Sequence, residues 1–289
     1  IFYLGVLLIE TNNLSRAKHF FQKAIQIQPN YAPAHNNLGI IFDSLKEARK
    51  AIYSYQKAIE IQPNYAAAHN NLGMVFQGLG EFEKAITAYQ MAIKVQSNYV
   101  SAHHNLGVVF QKMRKHQRAI SCFQKAIQIK FDHAITHYNL GMVFIELGDF
   151  KKAINSYKLA VKYEPKNLVH IYHLSDLNKE ILDLNLKSKI NEIIKKSSSS
   201  KKNIAYGNFL LSRYEQKEQN YEKEFNYLLK GHLCWFESEN KNFEIGIDYW
   251  LNELPNIKKL VNLDQSNKNI KKVNYKINPI FIIGVPRCG

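Results

Sequence analysis

The sequence predicts an all-α fold, a solenoid of antiparallel helix pairs, from three observations. The dipeptide Leu-Gly recurs every 34 residues, with its glycines at Gly5, Gly39, Gly73, Gly107 and Gly141. Two columns of alanine keep the same period, and so does one column of aromatic residues. A period of this length indicates stacked units of two helices, because one helix pair has more apolar surface than it can bury alone.

The repeated columns describe how the two helices of each unit pack. Glycine and alanine let helices approach closely, and a large aromatic residue fills the adjacent space. The aromatic column is Phe21, Tyr55, Tyr89, Phe123 and Tyr157, and the alanine columns run from Ala17 to Ala153 and from Ala24 to Ala160. Proline ends the second helix in three units. We therefore predict five units over residues 1–165, the first incomplete at its N-terminus, in a right-handed solenoid with a concave groove.

After residue 165 the period becomes irregular without disappearing. Gln219-Asn220-Tyr221 matches Gly148-Asp149-Phe150 at a distance of 71 residues, two periods plus three. We expect degenerate helical repeats over residues 166–235, with the extra length in the polar run KKSSSSKK at 195–202. An amphipathic helix and a polar linker are predicted over residues 236–278, where a domain boundary is expected.

The five units resemble the tetratricopeptide repeat (TPR), a family of two-helix units that bind protein segments. Asn37, Asn71, Asn105 and Asn139 precede the Leu-Gly pair on the first helix of four units. By this resemblance the first helices line the concave surface, and similar asparagines hold peptide main chains, to which an amide offers both a donor and an acceptor. The alternative is that these amides hydrogen-bond within the repeat array itself. Both interpretations stay open at this point.

A histidine column invites a metal-binding hypothesis, which the geometry of the repeat opposes. Equivalent helices of successive units are roughly 15–20 Å apart, whereas ligands of one ion lie about 2 Å from it. Packing and hydrogen bonding are the expected roles, and no metal site is predicted. The column is His35, His69, His103 and His137.

Composition excludes several classes of protein. The formal charge of +15 is spread along the 289 residues, which is typical of solvated helix faces and argues against specific nucleic-acid binding. Three widely spaced cysteines argue against a disulfide framework. The longest early apolar run is too short to span a bilayer, so a cytoplasmic location is expected. The sequence begins without methionine and ends inside a motif, which suggests a fragment.

The terminal segment, residues 279–289, differs from the helices before it. An apolar run, Ile280 to Ile283, predicts a buried strand, and the glycine- and proline-containing residues after it predict a phosphate-binding loop. Gly284 and Gly289 have the spacing of a Walker loop, whose lysine would lie beyond the chain. Phe281 to Gly289 also resembles the 5′-phosphosulfate loop of sulfotransferases, including its Pro-Arg pair.

This second resemblance implies the TPR region of a bacterial TPR–sulfotransferase, truncated at the start of an α/β, P-loop-like catalytic domain. It implies a sulfuryl transfer from 3′-phosphoadenosine 5′-phosphosulfate (PAPS) to a hydroxyl or amine, with no metal. The catalytic residues would be absent and this chain inactive alone. The implied cofactor-binding residues are Gly284, Pro286, Arg287, Cys288 and Gly289, with Cys288 in the place of the usual serine. The alternatives are a non-catalytic TPR scaffold and the TPR region of a P-loop NTPase.

Overall fold

The computed structural model describes residues 1–196 and 198–238. They contain fourteen α-helices, one 3₁₀ helix and no β-strand, so the predicted all-α class is confirmed for this part of the chain. The chain divides into two compact units, Ile1–Trp235 and Phe236–Gly289. The predicted strand and loop at 279–289, and all but three residues of the predicted helix and linker at 236–278, lie outside the described residues.

Five helix pairs form the regular part of the solenoid. They are α1 (Phe2–Glu10) with α2 (Leu14–Ile27), α3 (Ala32–Ser44) with α4 (Ala48–Ile61), α5 (Ala66–Gly78) with α6 (Phe82–Val95), α7 (Val100–Lys112) with α8 (His116–Ile129), and α9 (Ala134–Glu146) with α10 (Phe150–Tyr163). Each helix packs on the next, and each first helix also contacts the first helix of the following pair. The core is therefore continuous from one repeat to the next, as a stacked repeat requires.

The glycine column is the point of closest approach inside each pair. A Cβ atom added at any of the five glycines would lie 2.6–2.8 Å from the ring of the aromatic residue on the partner helix. All five rings are buried, and Phe21, Tyr89 and Phe123 are fully inaccessible to solvent. The sequence-based pairing of small and aromatic columns is confirmed. The glycine–ring pairs are Gly5 with Phe21, Gly39 with Tyr55, Gly73 with Tyr89, Gly107 with Phe123, and Gly141 with Tyr157.

We expect Gly73→Ala to destabilise the protein by about 1–3 kcal/mol, because the new methyl group would lie 2.7 Å from Cε1 of Tyr89. Gly78→Ala in the same helix is the matched control. No atom lies within 4 Å of a Cβ at Gly78, so alanine should leave stability unchanged or raise it by about 0.5–1 kcal/mol. Urea midpoints of the two variants check this, and equal midpoints would show that the close approach does not limit packing.

The turn between the two helices of each pair repeats with the same period. One residue takes a positive φ, and the N–H of the residue after it bonds to a carbonyl five residues back, as in a Schellman motif. Gln219 (φ 57°) has this geometry too, and the N–H of Asn220 bonds to the carbonyl of Glu215 at 2.9 Å. The turn thus agrees with the sequence match of Gln219 to Gly148. The regular positions are Asn12, Lys46, Gly80, Arg114 and Gly148.

The irregular part contains α11 (Leu168–Leu177), a 3₁₀ helix (Lys179–Ile181), α12 (Leu184–Lys195), α13 (Lys201–Lys217) and α14 (Tyr221–Ser238). The predicted polar loop at 195–202 is shorter than expected, because only residues 196–200 lie between helices. Ser200 caps α13 by accepting a hydrogen bond from the N–H of Asn203. The Asn203 side chain also bonds the carbonyl of Lys166 and the N–H of Leu168. Part of the extra length is therefore helix, tied to the preceding repeat.

None of the helices between residues 1 and 238 combines the length and the apolar character that a membrane span needs.

Candidate functional site

The predicted asparagine column lies on one side of four first helices. Asn37, Asn71, Asn105 and Asn139 are all partly exposed, whereas the leucines that follow them are buried. We call this side of α3, α5, α7 and α9 the amide face. The 34-residue period places one such amide in the same position on each unit.

Three of these amides also bond to the preceding repeat. Nδ2 of Asn71 donates to Oδ1 of Asn36 at 3.1 Å, and Nδ2 of Asn105 donates to Oδ1 of Asn70 at 3.0 Å. Nδ2 of Asn139 lies 3.4 Å from Nε2 of His104. The hydrogen bonds within the array that the sequence left open are therefore present, and they hold one face of each first helix in register with the next.

Asn37 is different, because the residue that would receive its hydrogen bond in the preceding unit is Phe2. Its side chain makes no hydrogen bond to any other described residue. Asn37 is consequently the one member of the column whose amide is fully available on this face.

The residues that accept these bonds were not predicted from the sequence. They stand one position before the asparagine column, keep the same period, and are the signal that could have identified an amide ladder. They are Asn36, Asn70 and His104, and Tyr138 occupies the same position in the next unit. Asn36 and Asn70 are buried. At the next interface the polar contact is replaced by rings, since Tyr138 packs edge-on against His173 with centroids 5.4 Å apart.

His104 belongs to a directed chain of hydrogen bonds between α7 and α9. Its Nδ1 lies 2.8 Å from Oγ1 of Thr136, and that hydroxyl lies 2.5 Å from Nδ1 of His133. Burial and the neighbouring His133 lower the pKa of His104 to about 4. The neutral ring fits its neighbours: Nε2 accepts from Asn139, Nδ1–H donates to Thr136, and the Thr136 hydroxyl donates to His133.

Apolar side chains flank the asparagines on the amide face. Three positions after each asparagine stands an aliphatic or methionine residue, which a helix brings to the same side. Met74 is 47% exposed, and Ile135, four positions before Asn139, is 39% exposed. The flanking row is Ile40, Met74, Val108 and Met142. The face therefore combines amides with adaptable apolar surface.

The histidine column fixes each first helix to the linker before it by hydrogen bonds. The Nε2 atoms of His35, His69 and His103 lie 2.9 Å from the carbonyl oxygens of Pro29, Pro63 and Ser97, and that of His137 lies 2.8 Å from the carbonyl of Phe131. Each bond joins a first helix to the linker before it rather than to another helix. Nowhere in residues 1–196 and 198–238 do three side chains of metal-binding type come together.

The predicted phosphosulfate loop lies outside the described residues, so the roles of Gly284, Pro286, Arg287, Cys288 and Gly289 stay predictions. Elsewhere, burial raises the pKa of Cys122 to about 11, which keeps that thiol protonated and unreactive at neutral pH.

Sequence comparisons agree with the helix pairs. Models of the tetratricopeptide repeat match residues 3–31, 44–80, 78–113 and 98–163, just over half of the chain. A curated relative, the uncharacterised protein ycf37 of Pyropia yezoensis, is 41% identical over 46 residues, which are 16% of this chain. The matched segment spans about a quarter (26%) of that relative's length.

Solved structures show the same fold. The MamA crystal structure is 26% identical and covers 56% of this chain and 95% of its own, with a TM-score of 0.50. PilF of Pseudomonas aeruginosa is 22% identical and covers 66% of this chain and 88% of its own, with a TM-score of 0.59. A tetratricopeptide repeat protein of Parabacteroides merdae is 16% identical and covers 84% and 93%, with a TM-score of 0.58. The family models that match just over half of the chain show that it belongs to the tetratricopeptide repeat family.

Proposed function

We propose that the chain binds extended protein segments along the amide face. The observation that carries this proposal is the recurrence of a partly exposed asparagine on four successive first helices, each beside an aliphatic or methionine side chain. An amide recognises the main chain of a peptide whatever its sequence, and the apolar row adds contacts to its side chains. The inter-repeat bonds support this role, because they use the Nδ2 atoms of Asn71, Asn105 and Asn139 and fix the direction of these three amides before a ligand arrives.

Asn37→Ala tests the amide face without breaking a bond inside the protein. We expect it to weaken binding of a peptide selected from a random-sequence array by about five- to tenfold, which corresponds to the loss of about one hydrogen bond. The melting temperature should not change. Gln124→Ala is the matched control, since Gln124 is an exposed amide on the second helix α8 and should leave affinity unchanged.

Replacing all four asparagines by alanine should abolish peptide binding and also lower stability, because three inter-repeat bonds are removed. Binding that survives this fourfold replacement in folded protein, or that falls equally with Gln124→Ala, would contradict the proposal.

A more specific role is the recruitment of an acceptor to a PAPS-dependent sulfotransferase. It is supported by the match of Phe281 to Gly289 with the phosphosulfate loop, in which Arg287 would contact the 5′-phosphosulfate. The main-chain amides of Cys288 and Gly289 would complete the cradle. The scaffold function fits the described residues at least as well, since it requires nothing beyond the repeats.

The two codons that follow Gly289 in the gene separate these roles. Ser or Thr followed by Thr supports the sulfotransferase, Lys followed by Ser or Thr supports an NTPase, and a stop codon supports the scaffold. The 289-residue chain itself should show no PAPS-dependent transfer, and measurable turnover would contradict this expectation.

A further inference from the structure

A second surface, between the second helices α2 and α4, has the shape and charge of a binding site. It is a cleft of about 900 Å³ whose floor is α3. Its lining includes none of the asparagines or apolar residues of the amide face. The cleft is thus separate from the proposed peptide-binding surface.

The lining of the cleft is basic and contains no carboxylate. Lys23 comes from α2 and Arg49 from α4, and both are exposed. Within the described residues neither side chain takes part in an ion pair. The remaining lysine of the lining, Lys50, is already engaged, because its Nζ lies 2.5 Å from Oε2 of Glu47 and over the ring of Phe42. Lys23 and Arg49 are therefore the two cations available to a ligand.

An apolar patch accompanies these charges. Tyr53 on α4 is 62% exposed, and the floor of the cleft is formed by Leu38 and Phe42. Cations from two helices that line one cleft together with an aromatic side chain suit a ligand that carries both carboxylate and apolar groups.

The same cleft one repeat later provides an internal comparison. There Glu60 and Glu83 stand in the places of Gln26 and Arg49, and Glu60 pairs with Lys57. Between α8 and α10, Lys125 and Lys151 stand in the places of Lys23 and Arg49, but Asn155 stands in the place of Tyr53. The basic character is therefore interrupted between α4 and α6, and among the equivalent clefts of the five helix pairs the first is the one that combines both cations with a tyrosine. A nucleic acid would need a longer run of cations to follow its phosphates, whereas a short acidic segment fits a single cleft.

From this geometry we infer that the α2–α4 cleft binds an acidic, aromatic-containing segment of a partner protein. Its carboxylates pair with Lys23 and Arg49, and its aromatic side chain packs against Tyr53. Because both cations are solvent-exposed, the interaction weakens as salt concentration rises.

Fluorescence anisotropy of a labelled peptide of Asp, Glu and Leu with a single Trp, added to the full chain, tests this site. We expect Arg49→Glu to weaken binding by about tenfold or more. Lys151→Glu is the matched control, because the exposed Lys151 occupies in α10 the position that Arg49 occupies in α4 and the charge change is the same, while Asn155 replaces the tyrosine there. The control should leave affinity within about twofold, as expected for a charge outside the binding site.

Equal losses in the two variants would show that only net charge attracts the peptide, and no loss in Arg49→Glu would show that the cleft is not the site. Full displacement of the peptide by a single-stranded DNA oligonucleotide, with the same sensitivity to Arg49→Glu, would assign the surface to nucleic acid and overturn the inference. Gln124→Ala serves as a further control, because Gln124 lies outside both the cleft and the amide face, and it should leave this binding unchanged.

Discussion

Phe123→Ala should lower the stability of the protein by about 3–5 kcal/mol, the cost typical of removing a large buried ring. Phe123 has no solvent-exposed surface and fills the space opposite Gly107, where even one added methyl group would lie 2.6 Å from the ring. Its loss leaves a cavity between α7 and α8 in the middle of the array. Because each repeat is stabilised by its neighbours, the damage should extend beyond one unit. We expect the melting temperature, followed by far-UV circular dichroism, to fall by about 10 °C or more.

Two variants control this experiment. Phe131→Ala removes the same side chain where it is 69% exposed and should change stability little. Phe123→Tyr should be tolerated, because tyrosine occupies this column in three other units. The hydroxyl of Tyr89 donates to Gln77, and Gln111 stands at the equivalent position to accept from a tyrosine at 123. Equal losses at Phe123 and Phe131 would mean that the aromatic column is not the core of the repeat.

Acidification should destabilise the fold through His104. Its pKa is about 4 in the folded protein and about 6.5 when unfolded, so the unfolded chain takes up more protons as the pH falls. The stability that neutral His104 provides is complete above pH about 6.5 and is lost between pH about 6.5 and 4. Burial also lowers the pKa of four other histidines, so their protonation at low pH should destabilise the folded protein too. They are His133, His170, His173 and His232.

His104→Asn isolates this contribution. The variant places in the fourth unit the amide that Asn36 and Asn70 provide in earlier units, so the bond from Asn139 can form without a titrating ring. From pH 7.5 to 5 we expect the wild-type protein to lose about 1–2 kcal/mol more than the variant, as read from urea midpoints. Parallel losses in the two proteins would show that His104 is not the responsible group.

The sequence predicted the helix pairs because their packing is local and periodic. Gly73 and Tyr89 are 16 residues apart and meet within one unit, so their columns predicted their contact. Asn105, in contrast, bonds to Asn70 of the preceding unit. Which residues meet at such an interface depends on how one unit stacks on the next. Periodicity shows that such contacts recur but does not show which neighbouring columns face each other.

Two other features depend on three-dimensional context. The low pKa of His104 arises from its burial and from the nearby His133, which directly precedes α9, and the sequence displays neither the burial nor this proximity. The early start of α13 depends on the Ser200 cap and on the bonds of Asn203 to the preceding repeat. A polar, serine-rich run predicted only a loop there, because composition does not distinguish a loop from a capped helix start.

Methyl NMR of the four methionines tests the proposed peptide-binding face most directly. Met74 and Met142 lie on the amide face, Met91 is an exposed residue of the second helix α6, and Met113 follows α7 and is partly buried. On addition of the array-selected peptide, the Met74 and Met142 resonances should shift while those of Met91 and Met113 stay in place. A shift confined to Met91, or saturated binding with Met74 and Met142 unmoved, would contradict binding along the amide face.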